Sequence, residues 1–110
     1  MSGSFGDREK AFESKWAHDE EMRFKIIARR NRLLGLWAAE QMGISGDEAA
    51  EYAKTVVRAD LEEPGHEDVV RKVHRDFEAK NVARSDHAIR VKMEELLVTA
   101  TDQVVHETGK

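Results

Sequence analysis

From about Asp19 to Met42 apolar residues recur at the helical repeat. Placed about 100° apart, Ile26, Ile27, Leu33, Leu34 and Trp37 fall in one sector. The spacing predicts one long helix with Trp37 in the core, and Gly43 then supplies the left-handed stop that helices favour. The run Ser45-Gly46-Asp47-Glu48 has the S-x-x-E form of a capping box, in which hydroxyl and carboxylate satisfy backbone N–H groups at a helix start. A second helix is therefore expected there, with Ala49, Ala53, Val56 and Val57 inward, ending near Leu61 before Pro64 and Gly65. Glu67 and Asp68 sit where a third would begin, complementing its dipole; Val69, Val73 and Phe77 face inward, and Asn81 can end it. Ser85 can cap a fourth, in which Ile89, Met93, Leu96, Ala100 and Val104 follow at spacings of four, three, four and four. Glu67/Arg71, Asp68/Lys72 and Asp76/Lys80 stand acid before base at i,i+4, the favourable order for helical ion pairs. Short linkers make neighbouring helices roughly antiparallel, so the predicted fold class is all-α, a four-helix bundle over residues 19–110.

Residues 1–18 follow a different pattern. Ser2, Gly3, Ser4 and Gly6 open the chain, and beyond them Phe5, Phe12 and Trp16 are the large apolar groups among charges of both signs. This reads as a flexible, amphipathic N-terminal segment, disordered when free. On a helix, however, Phe5, Phe12 and Trp16 would lie within about 40° of one another, with Arg23, Ile27 and Leu34 prolonging the stripe. Either these aromatics fold back as ordinary core, or the segment becomes helical against a partner. Burying all of them contributes roughly 9 kcal/mol, whereas ordering about 15 residues costs on the order of 15 to 30. A partner groove must therefore add hydrogen bonds and charge pairs.

Composition narrows the function classes. At 110 residues the chain is one domain with a tail, and its net charge of −4 repels phosphate backbones and anionic headgroups, so neither nucleic acid nor membrane is the expected partner. Cysteine is absent, which removes thiolate nucleophiles and zinc–thiolate sites. No run approaches the roughly 20 apolar residues of a membrane span, and Met1 to Ser14 lacks an apolar signal core. A cytoplasmic location is expected.

Neither G-x-x-x-x-G-K nor G-x-G-x-x-G occurs, so no phosphate-cradling loop is visible. His74/Glu78 and Asp102/His106 have helical metal spacing without a partner set, and the serines sit at caps and turns. No metal, no cofactor and no catalytic residue is expected, and hence no enzyme. Arg29, Arg30 and Arg32 are candidates for secondary docking or anion binding. Arg29 and Arg32 share an outer face with Lys25, while Arg30 falls in the apolar sector and must pair with a carboxylate, snorkel or meet a partner.

Two blocks carry a family resemblance: F-G-D-R-E-K-A-F-E-S-K-W-A-H-D-E from Phe5 to Glu20, and A-R-R-N-x-L-L-G-x-W-A-A from Ala28 to Ala39. With the stretches Gly43 to Val57 and Lys92 to Leu97, the chain resembles the zeta-type ATPase inhibitor subunit of alphaproteobacterial F-type ATP synthases. The resemblance implies a four-helix bundle whose N-terminal segment becomes helical when wedged into a catalytic interface of the ATP synthase head, among its alpha and beta subunits and the gamma rotor. Phe5, Phe12 and Trp16 would then be buried anchors. Arg8, Glu9, Lys10, Glu13 and Lys15 would make polar contacts to the walls of the cleft. The protein would be monomeric when free and peripheral to the inner membrane through the synthase. The alternative from the residues alone is a small helical sensor holding a nucleotide or other anion through Arg29, Arg30 or Arg32.

Overall fold

The computed structural model describes residues 20–62 and 66–107. They form four helices, α1 (Glu20–Gln41), α2 (Gly46–Glu62), α3 (His66–Ala79) and α4 (Asp86–Glu107). Each packs on its sequence neighbours, α4 closes back on α1, and α1 also touches α3 across the bundle. The all-α four-helix bundle stands as the sequence predicts, with helix boundaries within about two residues of those expected. The N-terminal segment expected to be flexible and the domain boundary expected at residue 18 lie outside the described residues.

The core has two parts. The larger joins Leu34 and Ala38 of α1, Val56 of α2, Val69, Val70, Val73 and Phe77 of α3, and Ile89 and Met93 of α4. The smaller draws on the α1–α4 pair alone, with Met22 and Ile26 against Ala100 and Val104, and Leu33 and Leu97 at its margin. α1 and α4 have 22 residues each, against 17 in α2 and 14 in α3. The N-terminal turns of α1 are thus held by one neighbour, and the rest of the helix by three.

The closest approach is between α1 and α2. A Cβ on Gly35 would lie 2.6 Å from Ala53 Cα, 3.0 Å from Ala53 Cβ and 3.3 Å from Val56 Cγ2. Gly35 fits because it has no side chain, and the fully buried Ala38 and Ala39 continue this low surface on α1.

Two helices end by the same device. Gly43 at φ 78° lets Ile44 N donate to Ala39 O at 2.8 Å and Gly43 N to Glu40 O at 3.1 Å, a Schellman closure of α1. Asn81, at φ 62°, repeats it for α3, with Val82 N donating to Phe77 O at 2.8 Å and Asn81 N to Glu78 O at 3.2 Å. Val82 then packs against the larger core. At the start of α4, Ala88 N donates to Ser85 Oγ at 3.1 Å, as the sequence predicts. The start of α2 differs. Gly46 opens it at φ 63°, and no hydrogen bond to Ser45 Oγ closes the capping box among the described residues.

Trp37 is also a correction. It is half-buried rather than central, meeting Phe77 edge-on at 5.8 Å between ring centroids. Arg84 and Lys92 cover its exposed side at 5.8 and 5.7 Å, a charged lid over the ring. Phe77 is the aromatic at the centre, with no exposed surface. The acid-before-base pairs form differently as well. Asp68 binds Arg71, Lys72 Nζ donates forward to Asp76 Oδ2 at 2.8 Å, and Glu67 accepts two bonds from Arg90 of α4 at 2.6 and 3.1 Å.

In an ordinary helix interior, glycine to alanine gains roughly 0.5–1 kcal/mol. At Gly35 the new methyl meets backbone across the contact, so Gly35→Ala is expected to destabilise by about 1–3 kcal/mol in urea unfolding. A gain in stability would show that the α1–α2 contact yields freely.

Candidate partner-binding site

The proposed anchors Phe5, Phe12 and Trp16 and the polar residues Arg8, Glu9, Lys10, Glu13 and Lys15 lie outside the described residues. What is described is the base they join. Glu20 and Glu21 supply negative charge to the first turn of α1, where the exposed N–H groups favour it. Along the stripe that prolongs Phe12 and Trp16 in the sequence, Leu34 is fully buried, Ile27 half-buried and Arg23 exposed. The stripe therefore passes from core to solvent as α1 is followed toward its N-terminus. Phe24, on another side of the same turns, is 58% exposed.

The three candidate arginines do not converge. Arg29 reaches the end of α4, donating through Nη1 to Gln103 Oε1 at 2.8 Å and through Nη2 to Glu107 Oε1 at 2.6 Å. Hydrogen bonding to Glu107 raises the Arg29 pKa, and the same bond holds the Glu107 carboxyl below its ordinary value. This clasp ties the turns that the smaller core also holds. Arg32 is exposed.

Arg30 is inside, only 2% exposed, and donates through Nε and Nη2 to Asn31 Oδ1 at 3.1 and 2.8 Å. Desolvation pushes its guanidinium down to about 10, with the Asp60 carboxylate of α2 acting in the opposite direction. It remains a cation at neutral pH, so the bundle encloses a charge supported by an amide and a carboxylate from two helices. Asn31 is 1% exposed, and its Nδ2 finds no acceptor among the described residues. Sequence reasoning passed over Asn31. The signal was a second polar residue beside Arg30 on a helix whose buried sector is wider than one stripe.

It also passed over the α2–α3 face. Tyr52 OH donates to Asp76 Oδ2 at 2.7 Å, and Lys72, bonded to the same oxygen, lies 5.1 Å from the Tyr52 ring centre. Burial, and then the bond to Asp76, raise the Tyr52 pKa. Beside this network runs an open groove of about 580 Å³ lined by Thr55, Arg58, Asp68, Arg71, Lys72 and Arg75. Its cations come from two helices and meet only when those helices pack. Among the described residues, no group of three or more His, Asp or Glu side chains could hold a metal ion, and no helix is long and apolar enough to cross a membrane.

Removing the acceptor beneath Arg30 leaves a buried cation short of a partner, so Asn31→Ala should cost about 1.5–3 kcal/mol in chemical denaturation. A neutral result would mean that Asp60 or water replaces the amide. Tyr52 is the chain's single tyrosine, so the absorbance of tyrosinate reports it alone. Its folded pKa is raised, so the folded state holds the hydroxyl proton more tightly than the unfolded chain. The stability this confers is complete below pH ~10, the ordinary tyrosine value, and declines as pH rises above it. Tyrosinate should therefore appear together with alkaline loss of helicity. Ionisation at the ordinary value with the helices intact would contradict the buried Tyr52–Asp76 bond.

The family model described as ATPase inhibitor subunit zeta matches residues 1–103. A structure solved by solution NMR is 52% identical, with a TM-score of 0.69, over 78% of this chain and 98% of that one. No curated protein matches. The family match runs from the segment before α1 through all four helices as far as Gln103, and the chain belongs to the ATPase inhibitor subunit zeta family.

Proposed function

We propose that the protein is a one-way brake on the F-type ATP synthase. During ATP hydrolysis its N-terminal segment enters a transiently open catalytic interface of the head, between alpha and beta subunits beside the gamma rotor. There it forms a helix and blocks closure of the site. Rotation in the synthesis direction expels it. The block is steric and involves no covalent step. Phe5, Phe12 and Trp16 fill pockets in the cleft, while Arg8, Glu9, Lys10, Glu13 and Lys15 meet its polar walls. The protein works in the cytoplasm, at the membrane surface where the synthase stands.

The observation that supports this reading most is the course of the α1 stripe from the buried Leu34 to the exposed Arg23. Trp16 and Phe12 share this stripe in the sequence, beyond the point where it reaches solvent, so these aromatic residues are better explained by an external groove than by the bundle. α1 also supplies a helical nucleus. Nucleation is the costly step, with a factor of about 10⁻³, whereas extension adds one hydrogen bond per residue fixed. A segment growing from Glu20 inside a cleft starts from a turn already formed.

Removing residues 1–18 is expected to abolish inhibition of hydrolysis by the purified ATP synthase head while circular dichroism still reports the folded bundle. Phe12→Ala and Trp16→Ala should each weaken inhibition by about 2 kcal/mol or more, and Lys10→Ala, at the rim, by less. Full inhibition by the truncated protein would move the brake to the bundle surface.

A further inference from the structure

The family match and the N-terminal segment leave the groove between α2 and α3 without a role. Four of its lining residues are cations, Arg58, Arg71, Lys72 and Arg75, and one is a carboxylate, Asp68, in a chain whose net charge is −4. Arg71 is bound to Asp68, and Lys72 is committed to Asp76. Arg58 and Arg75 are exposed, and among the described side chains, which do not include Glu62, no carboxylate is bonded to either. The groove thus presents two exposed guanidinium groups, one from each helix, on a molecule whose net charge is negative.

We propose that this groove is a second docking surface, which takes a carboxylate-bearing segment of the ATPase that the protein inhibits. The proposal rests on the brake reading above and specifies how the bundle is held. Charge complementarity selects the occupant. Guanidinium forks match carboxylates in a bidentate manner, and a positive patch on a negative protein orients it toward an acidic surface during encounter. The layout favours a peptide over a phosphate group. Arg71 and Arg75 stand one helical turn apart, about 6 Å along the axis, with Arg58 on the facing helix. The cations form a row and converge on no glycine-rich loop. Thr55 adds a hydroxyl whose proton is already given to Tyr52 O at 2.6 Å, so toward the groove it acts as an acceptor and methyl surface.

The groove lies on α2 and α3, whereas the N-terminal segment leaves from the end held by α1 and α4. Two contacts on different faces would bind in tandem. Once the groove is engaged, the inhibitory segment searches the cleft at the effective concentration set by its tether, which multiplies affinity without a new contact in the cleft.

The test uses the full-length Arg58→Gln/Arg75→Gln variant, with Lys80→Gln as a control at an exposed cation away from the groove. Affinity for the purified ATPase head is measured at low and physiological salt, beside circular dichroism. With helicity unchanged, the double variant should bind about tenfold or more weakly and lose much of its salt dependence, while the control matches the unmodified protein. Carbodiimide joins amines to carboxylates, so the Arg75→Lys variant treated in complex should yield a peptide linking α3 to an Asp or Glu of the head. Unchanged affinity of the double variant, or carboxylate links that avoid α3, would overturn the groove while leaving the brake intact. Failure of the unmodified protein to bind the head would overturn both. Loss of binding to inorganic phosphate or to a short DNA duplex, with head affinity retained, would assign the groove to another ligand and overturn the proposal.

Discussion

The bundle is organised by how closely α1 and α2 approach. At Gly35 the α1 backbone lies against Ala53 with no room for a methyl group, and Ala38 and Ala39 keep the same helix thin further along. That thinness lets α1 sit in the middle, with α2 and α4 at its sides and α3 across from it. A helix flanked on several sides buries more than one stripe. Arg30 and Asn31 are enclosed for this reason as much as Ile26 and Leu34. The enclosed guanidinium then needs its amide and the Asp60 carboxylate, which ties the register of α1 to the end of α2.

The two ends of α1 are consequently held differently. Its C-terminal half joins the larger core and closes with a Schellman turn at Gly43. Its N-terminal half rests on α4 through Met22, Ile26, Ala100 and Val104 and through the Arg29 clasp on Gln103 and Glu107. A helix anchored firmly at one end and lightly at the other suits a protein that must extend a segment from its lighter end into another molecule. The bundle supplies rigidity, position and a starting turn. In the proposed brake, the specificity of the wedge would belong to the residues that precede it.

Much of this was legible in the sequence, for identifiable reasons. Helices α2 and α3 each bury a single face, so Val56, Val69, Val73 and Phe77 announced themselves by spacing, and Gly43, Asn81 and Ser85 marked ends through local backbone chemistry. What depended on three-dimensional packing was not legible. Trp37 shares the helical sector of Leu34 but stands at the edge of the core, because only packing decides how deep a sector reaches. Glu67 had a local partner at i,i+4 and bonded to Arg90 of another helix instead. The basic groove could not be read at all, since Arg58 and Arg75 are seventeen positions apart and become neighbours only when α2 turns back on α3. The candidate site divides the same way. The helical repeat already set Arg30 apart from Arg29 and Arg32, but only the fold shows Arg29 clasping the end of α4, Arg30 enclosed on Asn31 and Arg32 left exposed.

The central claim is that the segment before α1 gains structure inside the ATPase head while the bundle keeps its own. Amide hydrogen exchange on the full chain, alone and bound to the head during hydrolysis, measures this directly. The account predicts strong new protection across residues 1–18, with the core amides of α1 to α4 exchanging as slowly as before. New protection confined to the helices, with residues 1–18 exchanging at the same rate bound and free, would contradict it.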